Sequence, residues 1–264
     1  MQITDVLIPV GIFAALGVLF GIVLAIASRV FAIKVDERVP KILENLPGAN
    51  CGGCGYSGCE ALAQAVVKGE ASPSSCCVCG AEGMRAIGEI MGVELATPQP
   101  HCAHVMCAGD CNTARYKYVY EGAADCIAAE KLGGGAKVCS NGCIGLGTCV
   151  AACKYNAISI VNGVAHTDIT KCIGCGACAK VCPKHIISVI PVASKYAVVC
   201  SSVENGAVTR KQCTVGCISC RLCEKNCPVG AVTVNDFLAS IDQDKCIGCG
   251  ICADKCPRKI IRKV

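Results

Sequence analysis

Cysteines in the order Cys-x2-Cys-x2-Cys-x3-Cys-Pro occur three times: Cys172, Cys175, Cys178 and Cys182, then Cys217, Cys220, Cys223 and Cys227, then Cys246, Cys249, Cys252 and Cys256. Each run is closed by a proline, Pro183, Pro228 or Pro257. Three thiolates on one tight loop can cap three irons of a cubic four-iron cluster, while the fourth reaches a neighbouring cluster. Soft thiolates also bind zinc, but structural zinc sites favour separated Cys-x2-Cys pairs over this loop. The chain carries 28 Cys, and runs this crowded and regular do not suit a disulfide framework.

The elements that must position these loops repeat. Adding 74 to Cys126, Cys139, Cys143, Cys149, Cys153, Cys172, Cys175, Cys178 and Cys182 lands on a cysteine every time, from Cys200 to Cys256. The C-terminal part therefore reads as a tandem duplication, residues 126–199 and 200–264, of a two-cluster bacterial-ferredoxin-like module. Each module is expected to run strand, cluster loop, short helix, strand, twice, with residues 157–160 and 231–234 among the strands. In the first copy Leu146 stands where the second has Cys220, and Lys154 where it has Pro228. Cys139, four residues before Cys143, is the nearest replacement for the missing ligand. The expected sets are Cys139, Cys143, Cys149 and Cys182; Cys153, Cys172, Cys175 and Cys178; Cys217, Cys220, Cys223 and Cys256; and Cys227, Cys246, Cys249 and Cys252.

Upstream, Cys51-x2-Cys54-x4-Cys59 with a distal Cys76 makes a further four-thiolate set, its glycines at 52, 53, 55 and 58 letting backbone close around a cluster. Apolar periodicity over residues 61–67 and 82–93 predicts flanking helices, so residues 33–97 read as a small helical iron-sulfur domain and 98–125 as a linker. Before it, Val6 to Ser28 contains no charged residue. A helix of that length spans about 35 Å, enough for a hydrocarbon layer of about 30 Å. Residues 1–32 are thus expected to form one transmembrane helix; the apolar run lacks the preceding Lys or Arg of a signal peptide. Arg29, Lys34 and Arg38 follow the span and only Asp5 precedes it, which places the C-terminal domains in the cytoplasm. Gly17 and Gly21 form a GxxxG that would let another helix approach.

With no Trp and 4 Phe, the chain lacks the large side chains that dominate most cores, so metal–thiolate bonds must supply much of the folding free energy. The formal charge of +5 does not indicate nucleic acid. Five oxidised clusters, each about −2 with its thiolates, would bring it to about −5. No phosphate-binding GxxxxGK[ST] loop occurs, Gly145-Leu146-Gly147 lacks the third glycine of a dinucleotide fingerprint, and no nucleophile–base pair is evident. Gly145 and Gly147 are expected to allow backbone close to a cluster, and Tyr116, Tyr118 and Tyr120 to alternate along a half-buried strand.

The run Asn50-Cys51-Gly52-Gly53-Cys54-Gly55-Tyr56-Ser57-Gly58-Cys59, behind an apolar N-terminal segment and ahead of two ferredoxin-type modules, resembles the B subunit of the Rnf complex. That complex is a membrane-bound, ion-pumping ferredoxin:NAD oxidoreductase, and the resemblance covers essentially the whole chain. It implies an α+β chain in the cytoplasmic membrane with a single span, taking electrons from soluble reduced ferredoxin and relaying them through [4Fe-4S] clusters to other subunits of the complex. Flavins, NAD chemistry and the ion path would lie on those subunits. The family's distal Cys-Pro-x-Gly-Gly turn aligns with Cys76-Cys77-Val78-Cys79-Gly80, where Cys77 and Cys79 replace Pro and Gly. Five clusters use 20 cysteines and leave Cys77, Cys79, Cys102, Cys107, Cys111, Cys126, Cys200 and Cys213, read as free thiols. Lys255, Arg258, Lys259, Arg262 and Lys263 form a basic run suited to an acidic ferredoxin. A polyferredoxin subunit of a hydrogenase or other membrane reductase is the alternative of similar chemistry. A zinc-stabilised binding scaffold is the alternative of another class.

Overall fold

The structure is a computed structural model that describes the backbone of residues 3–30, 36–95 and 99–264, with side chains over 13–28, 36–95 and 99–264. Helix α1 (Ile3–Val30) follows from the uncharged run. Its described apolar side chains face outward, Phe13 74%, Val18 64% and Leu24 68% exposed. Among the described residues no helix is long and apolar enough to cross a membrane. The first part of the expected span, Val6 to Ile12, lies outside the described side chains, as do Arg29 and Lys34 of the orientation argument.

Three helices, α2 (Arg38–Asn45), α3 (Cys59–Val67) and α4 (Ala81–Met91), make the first compact unit. Val39 and Ile42 of α2 meet Leu62 and Val66 of α3 and Met84 and Ile87 of α4 in one core. Ile42 and Ile87 are fully buried, each contributing about 1.5–3 kcal/mol. The Asn50 side-chain oxygen accepts from Cys59 N at 2.8 Å, pinning the cysteine loop to the start of α3.

The rest contains β1 (His101–Val105), α5 (Cys126–Lys131), α6 (Thr148–Ala151), β2 (Ile158–Val161), β3 (Val164–Thr167), α7 (Ala177–Val181), β4 (Ile187–Pro191), β5 (Tyr196–Val198), α8 (Gly206–Gln212), α9 (Leu222–Lys225), β6 (Val232–Asn235), β7 (Leu238–Ile241), α10 (Ile251–Asp254) and β8 (Ile261–Lys263). Four antiparallel pairs result: β1–β4, β2–β3, β5–β8 and β6–β7. The β2–β3 and β6–β7 hairpins are 74 residues apart, as the repeat requires.

The strand pairing moves the expected boundaries. Residues 101–105, placed in a linker by the sequence, pair with 187–191 and so close the first module. Residues 196–198, placed in the first module, pair with 261–263 and close the second. Each module buries its outer apolar strand only by folding chain back onto it, and the outer strand of the first copy precedes the repeat.

Residues 106–125 are consequently an insertion inside the first module. Part of it lies between the two modules: Arg115 N donates to Gln212 O (2.9 Å), Thr214 N to Thr113 O (2.8 Å), Lys117 N to Ala136 O (2.7 Å) and Val138 N to Arg115 O (2.8 Å). Tyr116 forms an isolated bridge with Lys137 where an alternating strand was expected. The Gly145 loop approaches the β2–β3 turn rather than serving only a cluster. At φ 85°, a Cβ there would run into the Gly163 carbonyl.

Candidate metal centres

Four short helices begin on a residue in the left-handed region, Gly147, Gly176, Arg221 and Gly250. That turn carries the chain inward, so the second helical residue is a buried cysteine each time: Cys149, Cys178, Cys223 and Cys252. Around these four the other thiols converge.

Cys217, Cys220, Cys223 and Cys256 line one cavity, beside Val234 and Ile260. Burial pushes the Cys223 thiol up to about 11, and Cys217, Cys256 and Cys220 add to it as neighbours. Cys153, Cys172, Cys175 and Cys178 line a second. For the remaining pattern set no cavity is needed to see the grouping: burial raises Cys252, with Cys246, Cys249 and Cys227 around it. In the helical unit burial likewise raises Cys76, whose neighbours are Cys54 and Cys59.

The cavity that holds Cys143, Cys149 and Cys182 is completed by Cys126, and Cys139 does not line it. The thiol expected at the Leu146 gap, Cys139, thus lies apart from this group, and Cys126 stands in its place. Asp125 caps α5, accepting from Ile127 N (3.2 Å) and Ala128 N (3.1 Å). Thr148, beside Cys149, donates to Asp125 at 2.8 Å and accepts from Cys126 N at 2.7 Å. These bonds hold the start of α5 against the start of α6, and Cys126 follows. Burial pushes Cys149 up to about 12, reinforced by Cys143, Cys126, Cys182 and Cys178. Cys139 lines a different cavity, with Cys107, Cys200 and Cys213. Sequence reasoning left Cys107, Cys126, Cys200 and Cys213 unassigned, although the 74-residue offset relating Cys126 to Cys200 and Cys139 to Cys213 was a signal that these positions matter.

The donor sets fit iron-sulfur clusters. Each is sulfur-only, and several of the sulfurs receive backbone donors, which stabilise thiolate and tune such clusters. Ala103 N donates to Cys172 Sγ (3.3 Å), Ala157 N to Cys153 (3.4 Å) and Ala231 N to Cys227 (3.3 Å). At Cys227 burial opposes ionisation, but the N–H groups of Val229, Ala231, Val232 and Gly230 together hold the thiol below its ordinary value. Among the described residues no group of three or more Cys, His, Asp or Glu is arranged around a single ion. Four thiolates on one tetrahedral zinc would sit about 3.8 Å apart, and the corners of an iron-sulfur cube hold them wider.

Four thiols are left without a place in these groups of four. Cys79 is buried, pushed up to about 11 by burial with Cys76 and Cys59 adding to it, and its Sγ donates to Asn45 O at 3.6 Å. Cys76, with Cys54 and Cys59 as neighbours, is the distal ligand candidate. Cys102 is a buried residue of β1 itself; Cys111 is exposed, and Cys77, also exposed, has Cys51, Cys76 and Cys175 as neighbours.

The helical unit docks on the first module through its cysteine loop. Lys180 Nζ donates to Gly52 O (2.7 Å) and Lys154 Nζ to Asn50 O (3.3 Å). Gly53 lies so close to the Cys172–Cys178 loop that a Cβ there would be 2.6 Å from Cys175 O and 3.0 Å from Cys77 Sγ. Lys154, which replaces the expected proline, thus makes an inter-unit bond.

Family profiles match the same parts of the chain: "Putative Fe-S cluster" over residues 46–78, and "4Fe-4S dicluster domain" over 216–261 in one case and over 139–186 and 171–231 in another. The chain is 45% identical to the B subunit of the Na(+)-translocating ferredoxin:NAD(+) oxidoreductase complex of Acetobacterium woodii, over 98% of this chain and 78% of that protein. It is 43% identical to the B subunit of the ion-translocating oxidoreductase complex of Methanosarcina acetivorans, over 96% of each. With the B subunit of the proton-translocating ferredoxin:NAD(+) oxidoreductase complex of Clostridium ljungdahlii it shares 40% over 96% of this chain and 90% of that one.

Proposed function

The chain belongs to the B-subunit family of ion-translocating ferredoxin:NAD(+) oxidoreductase complexes, and on that premise we propose that its cysteine sets form a linear electron relay from a soluble ferredoxin to the other subunits. It is an electron-transfer subunit of an oxidoreductase, and iron-sulfur clusters supply the one-electron chemistry when bound. The observation that carries the relay is adjacency. Cys51 and Cys54 sit on a loop whose Gly53 abuts Cys175, Cys59 opens α3 behind it and Cys76 neighbours Cys54 and Cys59, while Cys178 neighbours Cys149 of the next set. In the second module α9 packs on α10, bringing Cys223 beside Cys252 in one core.

The protein's part is to hold thiolates, exclude water and fix spacing. The Lys180 and Lys154 bonds lock the first junction, and the apolar side chains of Ile158, Val164, Ile186 and Ile187 wall off the sets of the first module. The exposed apolar surface of α1 supports a single membrane span, since such a surface is not stable in water. For ferredoxin docking, Arg258 is already engaged, donating to Cys213 O (2.6 Å) and Gly216 O (3.3 Å). The exposed Lys259 and Lys263 are the better candidates for steering.

Anaerobic purification followed by iron, sulfide and zinc analysis tests this reading. Iron and acid-labile sulfide of at least about 20 per chain are expected from five sets. Zinc without sulfide would overturn the electron-transfer reading. A flavin-bearing, NADH-reactive partner should co-purify; a nickel-bearing one would instead indicate a hydrogenase.

A further inference from the structure

We propose that Cys107, Cys139, Cys200 and Cys213 hold a sixth four-iron cluster at the seam between the two modules. The four line one partly open cavity of about 370 Å³, its mouth included. By the same measure the cavities of three other sets, the one completed by Cys126 among them, span about 350, 310 and 270 Å³, so the seam is of comparable size. Cys200 and Cys213 are buried, and Cys107 and Cys139 partly so. A Cβ on Gly109 would lie 3.2 Å from Cys213 Sγ and 3.8 Å from Cys107 Sγ, so these two sulfurs flank one point although they are far apart in sequence.

Backbone donors mark the same site. Cys143 N donates to Cys107 Sγ at 3.3 Å and Cys217 N to Cys200 Sγ at 3.3 Å. These match the bonds received by Cys172, Cys153 and Cys227. Both donors are themselves residues of flanking sets, so the seam touches the Cys126/Cys143/Cys149/Cys182 set on one side and the Cys217/Cys220/Cys223/Cys256 set on the other. The runs Cys139-Ser-Asn-Gly-Cys143 and Cys213-Thr-Val-Gly-Cys217 build this contact twice, by the same four-residue step.

Charge points the same way. Lys137 lines the cavity and is 3% exposed, its Nζ donating to Gly109 O and Gly163 O at 2.8 Å each. None of the ion pairs among the described residues includes it. A buried ammonium is costly unless negative charge is near; the Asp110 carboxylate feels the charge of Lys137, and four thiolates around a four-iron core would add about −2. The carrier would be a one-electron site: its core gains one electron as a flanking cluster loses one, with no bond made or broken. Without it, the Cys126/Cys143/Cys149/Cys182 and Cys217/Cys220/Cys223/Cys256 sets flank this cavity with no carrier between them.

The proposal rests on reading the other sets as cluster ligands, and iron counting separates the two. Native mass spectrometry of the anaerobically purified chain should show six four-iron increments, about 24 irons; five would overturn the sixth site and leave the relay reading intact. Cys107→Ala should lose about four irons and the matching sulfide, or convert one cluster to a three-iron form with its own spin-resonance signal. Cys111→Ala, at a neighbouring exposed thiol, should lose none. Unchanged iron in Cys107→Ala would overturn the assignment.

Discussion

Replacing Thr148 by valine removes one hydroxyl at nearly constant volume and strikes the contact on which Cys126 depends. Its oxygen accepts from Cys126 N at 2.7 Å and donates to Asp125 at 2.8 Å. Asp125 is accessible and regains water, so the decisive loss is the partner of the N–H of buried Cys126. An unpaired buried N–H costs about 1–3 kcal/mol; at about 2 kcal/mol, local opening at the start of α5 becomes about 30-fold more populated. Anaerobic iron release to a strong chelator reads this directly. About four irons should leave about 30-fold faster in Thr148→Val, while Thr148→Ser, which keeps the hydroxyl, should follow the parent chain. Uniform parental kinetics in Thr148→Val would refute the Cys126 assignment, and equally fast release from Thr148→Ser would show that packing, not the hydrogen bond, was lost.

Gly145→Ala at φ 85° and Gly230→Ala at φ 63° both carry about 1–2 kcal/mol for the left-handed conformation, but only the first meets a neighbour, the Gly163 carbonyl, while the second faces open space; thermal bleaching of visible absorbance should therefore come several degrees earlier in Gly145→Ala than in Gly230→Ala. For the iron-free chain, burial raises Cys149 to about 12 and Cys200 to about 11 from an ordinary value near 9. These thiols favour the folded state fully below about pH 9 and lose that contribution as pH rises toward 11–12, so urea midpoints of the iron-free chain should fall between pH 8 and pH 10.5. Reversing charge at Lys259 and Lys263 should slow ferredoxin-driven reduction at low ionic strength and leave dithionite reduction unchanged; equal rates at low salt would remove these lysines from docking.

The grouping of the pattern-derived thiols was legible because their spacing is local: Cys-x2-Cys-x2-Cys puts three thiols on one loop whatever surrounds it. The helical unit was legible too, since α3 and α4 begin within two residues of the expected starts. What could not be read was anything decided by a fold-back. Cys139 is four residues from Cys143, yet the Asp125–Thr148 contact delivers Cys126, a residue much more distant in the chain. The first module's outer strand, His101–Val105, has no counterpart at the 74-residue offset, so the repeat placed it in a linker. Lys154 looked like a lost proline and turned out to bond Asn50 in another unit.

The interleaving of the thiol sets also sets a timetable. As the chain leaves the ribosome, Cys51 to Cys76 emerge within one short stretch, and that set can be filled as soon as its helices form. Cys107 shares its cavity with Cys213, which at about 5–20 residues per second is made roughly 5–20 s later. For that interval the early cysteines of the seam have no complete set to join, and the half-made chain is open to oxidation or to capture by the wrong metal. Oxygen tolerance is then a matter of how nascent chains are shielded as well as how the finished protein is packed.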